Sequence, residues 1–206
     1  MTEADGGGGS ERIGLFGGSF DPFHLGHLAA AQDVLERLGL SRVVFMPSGT
    51  PPHKDPEELT PAGLRLRMVR AGVEEDPRFE VSDLELRREG PSYTVDTLRS
   101  LREEAGGAHY HLIMGADQWS AFGQWREPWE VARMASIVVM TREGEGAGAL
   151  EPGFPGGDEP PRIEVPVIRF DLSSTLIRER VRAGHSIRYL VPESVRRIIE
   201  AAKLYV

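Results

Sequence analysis

The sequence predicts an α/β protein, a doubly wound parallel sheet with helices on both faces, and three observations carry that expectation. Short apolar runs alternate with amphipathic helical stretches along the chain. The first apolar run ends in a glycine turn that opens a helix, and 206 residues suffice for one substantial core. Taken in order, Ile13, Leu15 and Phe16 form a strand-like run stopped by Gly17-Gly18. Leu28, Ala31, Leu35 and Leu38 then recur at helical spacing up to Gly39. Residues 43–46 make a buried strand ended by Pro47, and 61–73 a second helix behind a Pro-rich loop. Strand and helix continue to alternate: 79–81 strand, 93–104 helix, 109–114 strand and 137–140 strand. Residues 163–170 follow as strand and 173–182 as helix. Val195, Ile198, Ile199 and Ala202 mark an amphipathic last helix.

Two segments lie outside this pattern. Residues 1–11 are Gly-rich and polar, a composition that cannot repay the entropy of ordering, and read as a disordered tail. Residues 144–161 hold six Gly and four Pro among eighteen residues, which disfavours helix and ladder alike and predicts a flexible loop. The remainder, 12–206, reads as a single domain.

Composition narrows the function. No apolar run approaches the ~20 residues that cross a bilayer, and the opening residues carry no signal-peptide pattern, so a cytoplasmic protein without a membrane partner is expected. The absence of cysteine excludes disulfides, thiolate metal sites and cysteine nucleophiles. Of the net charge of -8, residues 1–12 contribute three acids against one Arg, and 143–162 five acids against one Arg. The rest of the chain is nearly neutral. It offers no long basic patch for a nucleic acid, yet leaves room for a small cationic cluster around a phosphorylated small molecule.

The strongest motif is Gly17-Gly18-Ser19-Phe20-Asp21-Pro22-Phe23-His24-Leu25-Gly26-His27-Leu28, at the handover from first strand to first helix. In an open α/β sheet, ligands bind beyond the carboxyl ends of the strands, where glycines let a phosphate approach bare amides. His24 and His27 are three apart, so on a helix they share a face and can address one anion together. Gly26 removes a side chain that would block a nucleotide. A simple bend accounts for the glycines, and a zinc site completed by His53, or by His109 and His111, accounts for the histidines. The conjunction of turn, pair and strand-to-helix context outweighs both.

On these residues the chain resembles the nucleotidyltransferase superfamily with its His-x-Gly-His motif, and specifically the bacterial nicotinate-nucleotide adenylyltransferases, over nearly its whole length from Ile13. The resemblance implies a Rossmann-like fold and transfer of AMP from ATP to nicotinate mononucleotide, with ATP bound by Gly17, Gly18, Ser19, Phe20, His24 and His27. It implies that the two histidines stabilise the transition state. Since an ordinary imidazole titrates near ~6.5, they are expected to act as cationic donors beside polyphosphate. Further along, Pro47-Ser48-Gly49-Thr50-Pro51-Pro52-His53-Lys54 resembles the family's PxGxPPHK loop, which implies that Lys54 reaches the phosphates and His53 helps shape the site. Leu172-Ser173-Ser174-Thr175-Leu176-Ile177-Arg178 resembles ISSTxIR, which assigns Ser173, Ser174, Thr175 and Arg178 to ATP phosphates, although helix capping alone accounts for the hydroxyls.

The acceptor is implied to meet Ser92, Tyr93, Thr94 and Asp117, with Trp125 stacked on the pyridine ring and Arg142 a candidate for its phosphate. Arg126 departs from the aromatic residue that relatives often carry. Mg²⁺ is expected to arrive on the ATP polyphosphate rather than in a carboxylate cage. A homo-oligomer is compatible with the sequence. Competing readings are an adenylyltransferase for phosphopantetheine or nicotinamide mononucleotide, a cytidylyltransferase, and a nucleotide-binding regulator without turnover.

Overall fold

The computed structural model describes residues 10–51, 57, 59–104, 107–142, 158–168 and 170–206. Its elements in chain order are β1 (Arg12–Gly18), α1 (Leu25–Leu38), β2 (Arg42–Pro47), α2 (Ala62–Val73), β3 (Phe79–Val81), α3 (Thr94–Glu104), β4 (His109–Gly115), α4 (Ala116–Ser120), α5 (Pro128–Met134), β5 (Ala135–Arg142), β6 (Arg162–Val167), α6 (Ser174–Arg182) and α7 (Glu193–Ala201). The strands are all parallel and ordered β3-β2-β1-β4-β5-β6. This is the doubly wound α/β architecture that the alternation predicts, with the connections reversing direction between β1 and β4.

Period-two alternation sends side chains into two cores. Along β4, Tyr110, Leu112 and Met114 face one layer while Ile113 faces the other. The first layer packs Val95, Leu98, Trp119, Phe122 and Val131 from the helices on its side of the sheet. The second gathers Ala31, Val34, Met68, Val69, Ile177, Val195 and Ile199. Burying both faces explains why these strands read as near-continuous apolar runs. Helix α1 stops at Gly39, whose left-handed φ of 57° lets its N–H reach the carbonyls of Glu36 and Leu35. Helix α2 approaches the turn before α1 closely because Gly72 lacks a side chain: a Cβ there would lie 2.5 Å from the Phe23 ring.

Several boundaries differ from expectation: β1 runs through Gly17 and Gly18 instead of stopping at them, and β5 covers Ala135–Arg142 instead of 137–140. Glu11 is held in place, since its carbonyl accepts from the N–H of His109 at 2.7 Å. Strand β6 ends at Val167 rather than running to Phe170. Pro166 lacks a ladder donor, as an edge strand tolerates, and the N–H of Ile168 turns to the Asp33 carboxylate at 2.5 Å. Helices α4 and α5, and the single 3-10 turn Phe122–Gln124 between them, are also new. Of the 144–161 loop, residues 144–157 lie outside the described residues. No described helix is long and apolar enough to cross a membrane.

Candidate active site

The carboxyl ends of β1 and β2 are joined at the rim, where Ser48 donates its backbone N–H to the carbonyl of Gly18 at 2.9 Å. The chain then turns through Ser19 to Phe23 before α1. Phe20, not a glycine, takes the left-handed conformation here, with φ 48° while 3% exposed. A bulky residue at that φ is held only by surrounding packing, and its ring meets Phe16, Phe23, Phe45 and His27 at centroid distances of 5.0 to 5.9 Å. Asp21 is 1% exposed and anchors the turn: its Oδ2 accepts from the N–H of Thr60 at 3.1 Å and its Oδ1 from the Tyr205 hydroxyl at 2.5 Å.

His24 caps α1 and His27 lies one turn in. Their rings stack at 3.6 Å with an 18° tilt, and Phe23 covers the other face of His27 at 5.3 Å. The backbone N–H of His24 donates to His27 Nδ1 at 3.1 Å, which assigns the His27 proton to Nε2. His24 Nδ1 is buried without a hydrogen-bond partner among the described residues. Burial pushes the His24 pKa down to about 4, and burial followed by the neighbouring His24 holds His27 well below its ordinary 6.5. The pair is therefore neutral in the free protein near pH 7, whereas the cationic donors expected from the sequence belong to the state with polyphosphate beside them. A charged His27 would also bring an Nδ1 proton against the His24 amide.

The α6 motif docks on this turn. Ser173 caps α6 by accepting from the N–H of Leu176 at 3.1 Å, as ordinary capping predicts, while Ser174 donates to the carbonyl of Pro22 at 2.9 Å. Arg178 donates to the carbonyl of Asp21 at 2.8 Å and to the Thr175 hydroxyl at 3.2 Å. A Cβ on Gly26 would stand 3.1 Å from His24 Nδ1 and 3.5 Å from the Cβ of Phe170. Gly26 thus keeps the gap between α1 and the approach to α6 open.

Beside this cluster a cleft of about 530 Å³ opens at the same rim, and Gly17, Gly18 and Ser19 line part of it. Ser92, Tyr93, Thr94, Asp117 and Trp125 line it as well. The structure thus brings Ser92, Tyr93, Thr94, Asp117 and Trp125 of the expected acceptor residues together with the first part of the expected ATP motif. Trp125 leans edge-on against Phe122 at 5.2 Å while still facing the cleft. Asp117 can fold back over Gly115 because a Cβ there would lie 2.6 Å from its Oδ1. Arg126 also lines the cleft, its guanidinium 4.8 Å over the Tyr93 ring and 3.3 Å from Asp96. Arg142 ends β5, and its side chain lies outside what is described, as do His53 and Lys54 altogether.

Two contributors were missed by sequence reasoning. Glu85, in a 3-10 turn, lines the cleft and accepts from the Thr97 hydroxyl at 2.9 Å; burial pushes its carboxyl pKa up. Nothing in its sequence neighbourhood signals this. Arg65 of α2 is buried behind the turn, and its signal was available, because it occupies the apolar face with Met68, Val69 and Val73. His109 and His111 belong to β4, whose opposite end carries the rim, and no group of three or more His, Asp or Glu among the described residues is arranged to hold a metal. A shallower hollow of about 330 Å³, with Arg102 and Arg133 on its walls, lies at that far end, away from the motifs.

Comparison with known proteins bears on the family and the fold. Residues 15–180 match the family model described as cytidylyltransferase-like. A protein of Geobacillus thermodenitrificans named "Probable nicotinate-nucleotide adenylyltransferase" is 44% identical over 194 residues, covering 94% of this chain and 86% of its own. One of the same name from Thermus thermophilus is 45% identical over 195 residues, covering 94% and 99%. Among solved structures, a nicotinic acid mononucleotide adenylyltransferase of Plasmodium falciparum complexed with NaAD superposes with a TM-score of 0.74 at 18% identity, over 95% of this chain and 97% of that one. That last likeness concerns the fold.

Proposed function

The chain belongs to the nicotinate-nucleotide adenylyltransferases, within the cytidylyltransferase-like nucleotidyltransferases, and from that premise we propose that it joins the AMP part of ATP to nicotinate mononucleotide. The products are nicotinate adenine dinucleotide and pyrophosphate. The observation that carries this reading is the shared wall of Gly17, Gly18 and Ser19. It faces the acceptor cleft on one side and runs directly into the turn that bears His24 and His27 on the other.

A phosphate oxygen of the mononucleotide attacks the α-phosphorus of ATP; the new P–O bond forms as the bond to the bridging oxygen breaks and pyrophosphate departs. The acceptor is already an anion, so the protein's work is positioning and charge neutralisation rather than nucleophilic catalysis. In this reading the amides of the β1 turn, the Nε2 proton of His27, the α6 N-terminus and Arg178 bind the polyphosphate. Polyphosphate favours protonation of nearby imidazoles, so His24 gains positive character as ATP arrives, while His27, whose Nδ1 accepts from the His24 amide, donates from its neutral form. Lys54 is assigned to the same phosphates and Arg142 to that of the acceptor. Asp117 serves its ribose, Trp125 its ring, and Ser92, Tyr93 and Thr94 its carboxylate side.

Both carboxylate oxygens of Asp21 take protein donors, and the described residues hold no ligand cage, so the donor set fits Mg²⁺ carried in by ATP. When bound, the ion neutralises charge on the departing pyrophosphate. ATP as substrate also favours a cytoplasmic enzyme. The test is pyrophosphate release with ATP, Mg²⁺ and nicotinate mononucleotide, repeated with nicotinamide mononucleotide and phosphopantetheine. Turnover favouring the nicotinate acceptor is expected; equal background with all three would refute the reading.

A further inference from the structure

We propose that Arg65 is a positioning residue that ties the ATP-binding turn to the acceptor loop, fixing the two substrates of the proposed reaction relative to each other; the inference rests on the reading above. Arg65 is 1% exposed and touches the cleft nowhere. Its guanidinium serves three backbone carbonyls from three segments: Nε donates to Thr60 at 2.9 Å, one terminal nitrogen to Ser19 at 2.8 Å and the other to Gly49 at 3.1 Å. Ser19 belongs to the turn between β1 and α1, and Gly49 to the loop after β2.

The tie continues beyond Gly49. The N–H of Gly49 donates to the Ser92 hydroxyl at 3.0 Å, and the N–H of Ser92 returns to the carbonyl of Thr50 at 2.9 Å. A Cβ on Gly49 would lie 2.6 Å from the carbonyl oxygen of Glu85, so this backbone is pressed against the segment that carries Glu85. Ser19 and Ser92, at the two ends of the chain of contacts, line the same cleft. Gly49 is thereby gripped on both of its polar groups, by Arg65 on one side and the acceptor loop on the other.

The chemistry of the group argues for geometry over stability. A buried guanidinium carries a large desolvation penalty, and well-packed apolar residues often do as well or better at such positions. Burial indeed lowers its pKa, opposed by the charge of Asp21. What an apolar side chain cannot supply is a planar fork that holds three carbonyls at fixed angles, and a lysine offers a point charge in its place. Displacements of about 1 Å remote from the reacting atoms cost roughly 100-fold in rate, so losing the fork is expected to be expensive in turnover.

The experiment uses the full chain and the variants Arg65→Met, Arg65→Lys and Arg65→Ala. Amide hydrogen exchange is followed at residues 17–20 and 91–94 without substrates, and turnover is measured with ATP, Mg²⁺ and nicotinate mononucleotide. Expected are faster exchange at both segments together in all three variants, with β4 and β5 unchanged, and a fall of about 100-fold in kcat/KM for the Met variant. Lysine should not restore it, whereas added guanidinium should recover part of the activity of Arg65→Ala. Unchanged exchange, a response at one segment only, general loss of protection through β4 and β5, or turnover within threefold of wild type would each overturn the tie. Wild-type chain inactive with all acceptors would remove the proposed function instead, while exchange still decides whether Arg65 joins the two loops.

Discussion

Two imidazoles stacked at 3.6 Å, one with a buried unpartnered nitrogen, make the free protein sensitive to acid in a defined direction. The unfolded chain protonates His24 near its ordinary 6.5, but the folded protein resists until about 4. Between those values the unfolded state holds more protons, so stability is complete above about 6.5 and falls as pH drops towards 4. The steepest slope from one such group is about 1.4 kcal/mol per pH unit. Melting temperatures of wild type and His24→Gln between pH 7 and 4.5 test this, and the variant should show the shallower decline; parallel curves would clear His24 of the effect. ATP should blunt the wild-type decline, since its phosphates favour the protonated ring. His27→Ala is expected to lower stability as well as turnover. His27 lies between His24 and Phe23 with Phe16 and Phe20 at its edges, so truncation leaves a cavity worth roughly 2–3 kcal/mol. His27→Asn, which keeps an acceptor for the His24 amide, is the cleaner probe. Its kcat should fall by about 100-fold or more with a smaller loss of melting temperature.

Among the elements, the segment between β4 and β5 supplies one set of cleft-lining residues, which the proposed function assigns to the acceptor. The 3-10 turn Phe122–Gln124 delivers Trp125 to the cleft with its ring braced on Phe122, so the indole is oriented before any ligand arrives. Trp125→Ala should therefore raise KM for the mononucleotide by about 10-fold or more and leave KM for ATP nearly unchanged, as steady-state kinetics with each substrate varied would read. A change confined to ATP would contradict the assignment. This segment was also the least legible in the sequence. Its short helices bury one large side chain each, Trp119 and Val131, too few to generate a period, and α5 begins at a proline behind a left-handed Glu127. By contrast β1 and α1 were plain, because apolar spacing and motif coincide there, although Gly17 and Gly18 belong to the strand and the turn falls at the residues after them, with Phe20 left-handed. Arg65 was legible as an anomaly, a charge on the buried stripe of α2. Its purpose was not, because its partners are backbone carbonyls of Thr60, Ser19 and Gly49, which sequence pattern does not display.

At the scale of the whole molecule, the last helix and the residues after it close onto the turn that carries the histidines. Helix α7 packs on α2, where Ser194 donates to the carbonyl of Ala71 at 2.7 Å, and the chain then brings the Tyr205 hydroxyl to Asp21 at 2.5 Å and Thr60 at 3.2 Å. Burial and the Asp21 carboxylate both push the Tyr205 pKa upward, so the phenol stays a donor across the working range. Removing that donor strips a carboxylate only 1% exposed of one of the two hydrogen bonds it accepts among the described residues, which costs about 1–3 kcal/mol. For a domain of this size Tyr205→Phe should lower the melting temperature by roughly 2–12 °C. The consequence reaches function because the same residue, Asp21, offers its carbonyl to Arg178 and precedes His24 by three positions. Loosening it disturbs the polyphosphate side of the rim directly, whereas Trp125 is braced separately on Phe122. Tyr205→Phe is therefore expected to raise KM for ATP more than KM for nicotinate mononucleotide, measured at a temperature well below its own melting point. Equal effects on both substrates would mean that the carboxyl-terminal contact supports the fold at large and not the turn that carries the histidines.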